Sequence, residues 1–282
     1  MLTGPSSYAA QELAAYYRDA SPSIDIRVES TAGSRVVVTA LDENRGDVGL
    51  AQADVVYSAY RQGTPEASHP FTNLRGVAVL WPSKLYVVVR KDSTLVAMRD
   101  LRGQRVGIDV PGSSAEAFAR NVLAAHHLSY TDLKVHFGPT STMPADVEAG
   151  LLDAAILPSP LIDFAAQPQH STALRLLPIR REDTAAYRFT HPFLKPVIVP
   201  AFELPSEDHA VETIGSDGLL ICSKDVSEEL VYEITKMFFA SLPRLAERFA
   251  PAALVNPEHA PTTPIPLHPG AARYYRERQI LR

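Results

Sequence analysis

The sequence predicts an α/β fold in which parallel-rich sheets, flanked by helices, form two similar lobes. Segments of strand periodicity alternate with segments of helical periodicity, the βαβα order that buries a parallel sheet between helices. Arg45-Gly46-Asp47-Val48-Gly49-Leu50 is echoed by Ala149-Gly150-Leu151-Leu152-Asp153-Ala154-Ala155-Ile156. Each stretch is a helix end, a glycine, an aspartate and a buried strand, as two similar lobes would produce. The chain has 282 residues, enough for about two domains at roughly 150 residues each.

The elements follow in order. Leu2-Thr3-Gly4 reads as a short strand and Ala9–Arg18 as a helix. Ile24–Glu29 alternates apolar and polar, a strand pattern, and Val36–Arg45 is helical. Val48–Ala51 is a short buried strand, followed by a helix over Asp54–Arg61. Val77–Leu80 and Leu85–Val89 are β-rich runs split at Pro82. Arg105–Val110, Leu133–Phe137, Ala154–Leu157 and Leu174–Ile179 continue the strands, with helices over Ala115–His126 and Ala145–Gly150. Pro192–Pro205 holds four prolines and reads as an extended crossing segment. Gly218–Cys222 is a further strand. Ser227–Phe249 is the longest helical pattern, with Asp225 and Glu228 at capping-box spacing. Six prolines from Pro251 to Pro269 exclude a helix there, and a last short helix runs from about Gly270 to Gln279.

Composition narrows the function classes. Hydrophobic residues make up 46% and charged residues 21%, as in a folded globular chain. The net charge of −5 argues against a broad nucleic-acid face but not against a local site for a small anion. The one cysteine, Cys222, excludes an intramolecular disulfide framework and any multi-cysteine metal site. No apolar run reaches the roughly 18 residues of a membrane helix, and no leader peptide is visible.

The turns from strand to helix share a composition: Gly4-Pro5-Ser6-Ser7, Thr31-Ala32-Gly33-Ser34, Gln52-Ala53-Asp54, Pro111-Gly112-Ser113-Ser114 and Pro158-Ser159-Pro160. Ligands of open α/β sheets bind outside the carboxyl ends of strands, where helix N-termini present N–H groups and partial positive charge. Glycine lets a ligand approach the backbone, and serine adds a hydroxyl. Ser113 and Glu116 also have capping-box spacing, so Ser113 serves its own helix on one reading and a carboxylate on the other. Trp81, the only tryptophan, is either core or a wall of the site, and Lys84 could face a ligand carboxylate. The nucleophile-elbow, zinc-protease, P-loop and dinucleotide-binding motifs are absent. Neither a catalytic constellation nor a metal or cofactor site is expected; Asp54 with a histidine is the one acid–base pair that could be named.

On these residues the chain resembles the TAXI family of TRAP-transporter solute-binding proteins. Thr31-Ala32-Gly33-Ser34 is similar to the family's Thr-Gly/Ala-Gly-Ser turn, and Gly46–Tyr57 to its block of spaced Gly, Asp, Gln, Asp and Tyr. Val88–Ser93 with Asp100–Val106 resembles the lobe-crossing segment, and Pro111–Ser114 the ligand turn of the second lobe. Glu229–Lys236 and Ile265–Tyr275 resemble the C-terminal signature. The resemblance implies a type II periplasmic-binding-protein fold, with lobe 1 over residues 1–88 and 205–282 and lobe 2 over 89–204. It implies a monomeric receptor outside the cytoplasm, its leader removed, that closes on a small carboxylate and delivers it to membrane permease subunits. It places Ser7, Tyr8, Ser34, Gln52, Asp54, Trp81, Ser113, Ser114 and Ser159 near the ligand cleft, beside Gly33, Gly112 and Lys84 of the same turns and segment.

Three positions depart from the family pattern. Gly4–Tyr8 is short, with one aromatic where the family pairs two. Val37 stands where an asparagine is frequent. Ser83, then Lys84, follows Pro82 where a glutamate is frequent. An ammonium would want that acid and a carboxylate would welcome the lysine, so these changes point to a ligand without an amino group. A sensing module would use the same pocket, and an enzyme on the same fold is the remaining alternative.

Overall fold

The computed structural model describes residues 1–3, 8–21, 25–158, 173–201, 203–204 and 206–281, with the backbone alone for Tyr8. In chain order the elements are β1 (Leu2–Thr3), α1 (Tyr8–Ala20), β2 (Glu29–Ser30), α2 (Ser34–Asp42), β3 (Val48–Gln52) and α3 (Ala53–Gln62). Then come β4 (Leu74–Arg90), β5 (Arg105–Ile108), α4 (Ser114–Ala125), β6 (Lys134–Phe137), α5 (Met143–Glu148), β7 (Ala154–Pro158) and β8 (Leu174–Leu176). Last are α6 (Ala185–Thr190), β9 (Leu194–Val199), β10 (Val211–Ser223), α7 (Glu228–Arg248) and α8 (Pro269–Glu277).

The chain divides into two compact units, Met1–Pro82 with Asp217–Arg282, and Ser83–Ser216. The chain crosses at 82/83 and 216/217, whereas the sequence expectation put the crossings at 88/89 and 204/205. Both crossings fall inside long strands, β4 and β10, which a reading of separate short strands divides elsewhere.

In the first unit, β1 pairs with β2 and with β3, both in parallel. The outer half of β10 runs antiparallel to β3, from Gly218↔Gln52 to Cys222↔Val48. The core gathers Leu13, Ala14 and Tyr17 of α1 with Val231, Ile234, Phe238 and Leu245 of α7 and Tyr274 and Tyr275 of α8. The three-and-four spacing of those positions is what makes each helix pack. Burying a side chain such as Phe238 contributes about 1.5–3 kcal/mol. The two buried tyrosines keep their hydroxyls satisfied: Tyr17 donates to Ile234 O at 3.2 Å and Tyr275 to Val77 O at 2.9 Å. Cys222 is buried in this core, and burial pushes its thiol up to about 12, so it packs as an inert apolar residue.

In the second unit, β5 pairs in parallel with β6 and β7, while β4 runs antiparallel to β7 and β8. The inner half of β10 is antiparallel to β9. The sheets are therefore mixed, parallel among β1, β2 and β3 and among β5, β6 and β7, and antiparallel where β4, β8, β9 and β10 pair. Tyr86, Val88, Ala155, Leu157, Leu174 and Leu176 form the core beneath α5.

Several predicted elements shift. Pro82 does not split a strand, because β4 is continuous from Leu74 to Arg90. Of Ile24–Glu29, the described residues 25–28 are irregular, and ladder pairing starts at Glu29, whose N–H donates to Met1 O at 3.0 Å. The cap of α7 is Ser227, whose hydroxyl accepts from Leu230 N–H at 3.3 Å, rather than Asp225. α6 was not predicted: none of its residues is buried, so it has no apolar stripe to read.

Candidate functional site

Because β2, β1 and β3 lie side by side in parallel, their carboxyl ends line one edge of the first unit. Two of the predicted turns meet there. In the first, Thr31 Oγ1 accepts the Gly33 N–H at 3.2 Å, and Gly33 then opens α2 with φ 136°, a conformation that disfavours any side chain. In the second, β3 runs straight into α3 through Gln52. Neither helix has a side-chain cap at its N-terminus. The buried Ser34 ties the two turns together by accepting the Gln52 N–H on its Oγ at 3.0 Å. Gly33, Ser34, Gln52 and Asp54 thus form one cluster.

Asp54 sits in the first turn of α3 and is 2% exposed. Among the described residues neither of its carboxylate oxygens has a hydrogen-bond partner, and neither has the buried Oε1 of Gln52. Burial pushes the Asp54 carboxyl up to about 6, against the pull of the Val55 and Asp54 backbone N–H groups. Those groups lean toward the carboxylate without reaching hydrogen-bond geometry. Among the described residues no histidine lies on either oxygen.

The corresponding turn of the second unit follows β5. Gly112 takes φ 85°, and Ser113 opens α4 by accepting Glu116 N–H at 3.1 Å. The Glu116 carboxylate is nearly buried; it accepts from Tyr130 OH at 2.7 Å, from Arg120 and, at 3.4 Å, from Gly112 N–H. Burial works against its charge, but the Tyr130 and Arg120 hydrogen bonds outweigh it and hold the carboxyl below its ordinary range. Ser113 is therefore first of all a helix cap whose hydroxyl proton can still be donated. Ser114 is the first residue of α4 and half-buried.

One expectation is revised. Lys84, read as facing a ligand carboxylate, forms an ion pair with Glu203 Oε2, and Tyr86 OH donates to the other oxygen of the same carboxylate. Its charge is already answered from within the second unit. Trp81 packs edge-on against Phe249 at 4.9 Å, on the rim of the first unit's core. Ser7 and Ser159 lie outside the described residues, as does the Tyr8 side chain, although Tyr8 does open α1. Glu203 and Tyr86 had no local signal, since their partnership spans 117 residues.

A further pocket of about 370 Å³ lies in the second unit, at the amino ends of β5 and β7. Its two arginines are taken up by their own acids, Arg90 by Asp92 and Arg105 by Asp153. Among the described residues, no group of three or more His, Cys, Asp or Glu side chains is placed to hold a metal ion.

A family model described as NMT1-like matches residues 3–278, almost the whole chain. The chain belongs to the NMT1-like family. Solved structures give this NMT1-like chain the fold of periplasmic solute-binding proteins. It is similar to PhnD1 from Prochlorococcus marinus in complex with methylphosphonate, at 12% identity and TM-score 0.60, covering 100% of this chain and 98% of that one. It is similar to the binding-protein component of an ABC phosphonate transporter from Pseudomonas aeruginosa, at 10% identity and TM-score 0.56, covering 90% and 78%. It is also similar to the alkanesulfonate-binding protein SsuA from Xanthomonas axonopodis pv. citri bound to MOPS, at 16% identity and TM-score 0.52, covering 100% and 93%. No helix among the described residues is long and apolar enough to cross a membrane.

Proposed function

We propose that this protein is the extracytoplasmic solute receptor of a TRAP-type transporter, binding a small organic acid, a carboxylate first of all, and delivering it to membrane permease subunits. The observation that carries the reading is the cluster at the start of α2 and α3. Two helix N-termini without a side-chain cap, joined through Ser34 Oγ and Gln52 N–H, stand at the carboxyl ends of the two parallel strands that flank β1. The first-turn N–H groups and the positive ends of two helices suit an anionic head group without any lysine or arginine. The TAXI-like stretches at Thr31–Ser34, Gly46–Tyr57 and Ile265–Tyr275 favour a TRAP permease as the partner. The solute-binding fold and the NMT1-like family support a receptor.

The test is a thermal-shift panel of mono- and dicarboxylates, alkylsulfonates, alkylphosphonates and neutral sugars. A ligand at 100 times its Kd stabilises the folded state by about 2.7 kcal/mol, a rise of several degrees. A carboxylate response with the compound recovered unchanged supports the proposal. A response confined to sulfonates or phosphonates overturns the carboxylate assignment, and a response to no anion overturns the site.

A further inference from the structure

The buried acceptors at the start of α3 bear on what else the solute carries, given the receptor reading above. Asp54 is 2% exposed, with both carboxylate oxygens lacking a partner among the described residues, and the buried Oε1 of Gln52 lacks one too. Folded proteins pair nearly all buried polar atoms, and a buried carboxylate left alone is the costliest exception. All three atoms are acceptors, so what they want is donors. A hydroxyl would satisfy one of them and leave the charge unanswered. A cationic nitrogen carries several N–H groups and the opposite charge. The same turns hold the two uncapped helix N-termini, tied to Gln52 by the Ser34 hydroxyl. A donor-rich place for an acid and an acceptor-rich place for a cation thus lie on one pair of turns.

We propose that the solute is zwitterionic: its ammonium or amidinium nitrogen donates to Asp54 and to Gln52 Oε1, while its acid group takes the helix N-termini. This reverses the expectation of an amino-free ligand, which rested on a lysine that the structure pairs with Glu203 and on an acid missing after Pro82. Asp54 supplies an acid elsewhere in the chain.

The experiment is calorimetric titration with three probe pairs that differ only in the amine. They are glutamate against glutarate, taurine against ethanesulfonate, and 2-aminoethylphosphonate against ethylphosphonate. In the pair with the accepted head group, the amino-bearing member is expected to bind at least about 30-fold tighter, as for a charged hydrogen bond made in a buried site. Asp54→Asn, which keeps the shape and removes the charge, is expected to erase that preference. Binding of both members within about threefold of each other overturns the inference while leaving the receptor reading in place. A preference that survives Asp54→Asn overturns it too. If no probe of any pair binds, the receptor reading falls and the inference with it. The wild-type ratio decides even if the variant folds poorly.

Discussion

Replacing Asp54 by asparagine is expected to stabilise the empty protein at neutral and alkaline pH and to lose that advantage in acid. The carboxyl is raised from 3.8 to about 6 by burial. As pH climbs, the unfolded chain releases this proton first, so the folded state's share of stability is present below about pH 4 and is lost as pH rises through about 6. At about 1.4 kcal/mol per pH unit, the ionised form costs the folded state about 3 kcal/mol at pH 8, and roughly 2 kcal/mol of that accrues between pH 4 and pH 8. The asparagine amide brings its own poorly paired groups, which offset about 1 kcal/mol. The net gain at pH 8 is therefore about 2 kcal/mol, or about 4–8 °C in Tm. Melting both proteins without ligand at pH 4, 6 and 8, in buffers of equal ionic strength, measures it. A Tm difference that is the same at all three pH values would refute the assignment of Asp54 as a buried, unpaired acid.

Three further predictions concern residues around the candidate site and the core. Lys84→Met breaks the pair with Glu203; because that pair is only partly buried, the expected loss is about 1 kcal/mol in urea titration. Solute affinity is expected to stay within about twofold, since Glu203 already holds the ammonium. His268→Ala removes the cap of α8, where Nδ1 accepts Gly270 N–H at 3.2 Å and Nε2 donates to Val226 O at 2.9 Å, and is expected to cost about 1–2 kcal/mol. Burial lowers the pKa of this histidine, so the wild type loses stability as pH falls below about 6.5, and a pH series of melts shows that slope reduced in the variant. Glu116→Gln is expected to weaken the link between α4 and Tyr130 by about 1 kcal/mol at pH 7. The gap narrows toward pH 3, because stability from a carboxyl held below its ordinary range is lost as pH falls.

The order of strands and helices was legible because two periodicities alternate, and the turn after β2 was legible because Gly33 and Ser34 follow that strand. What the sequence could not carry was burial and pairing. It named Asp54 but not its isolation: Ala53, Val56 and Ala59 mark the packed face of α3, and nothing in their spacing signals that Asp54, turned away from that face, is buried as well. It gave Lys84 a free charge because Glu203 lies 119 residues away, in a proline-rich stretch with no periodicity. It broke β4 at Pro82, where a missing N–H usually ends a strand. It passed over α6, a short helix with no buried face.

Asp54 separates a binding site from a structural accident by the sign of two measurements on one variant. A buried acid that served the fold would be answered within the chain, and its removal would weaken the empty protein and leave solute binding unchanged. An acid held for a ligand behaves in the opposite way. The empty protein carries the cost of an unpaired charge, and a cationic nitrogen that pairs with it relieves that cost on binding. Bound solute is then expected to draw the Asp54 carboxyl back toward the ordinary carboxylate range, with proton release on binding near pH 6. Titrations run in two buffers of different ionisation enthalpy count those protons. Release that disappears in Asp54→Asn ties ligand and carboxylate together; proton uptake instead would mean that an anionic group has been placed against Asp54, and the zwitterion would have to be turned around or abandoned.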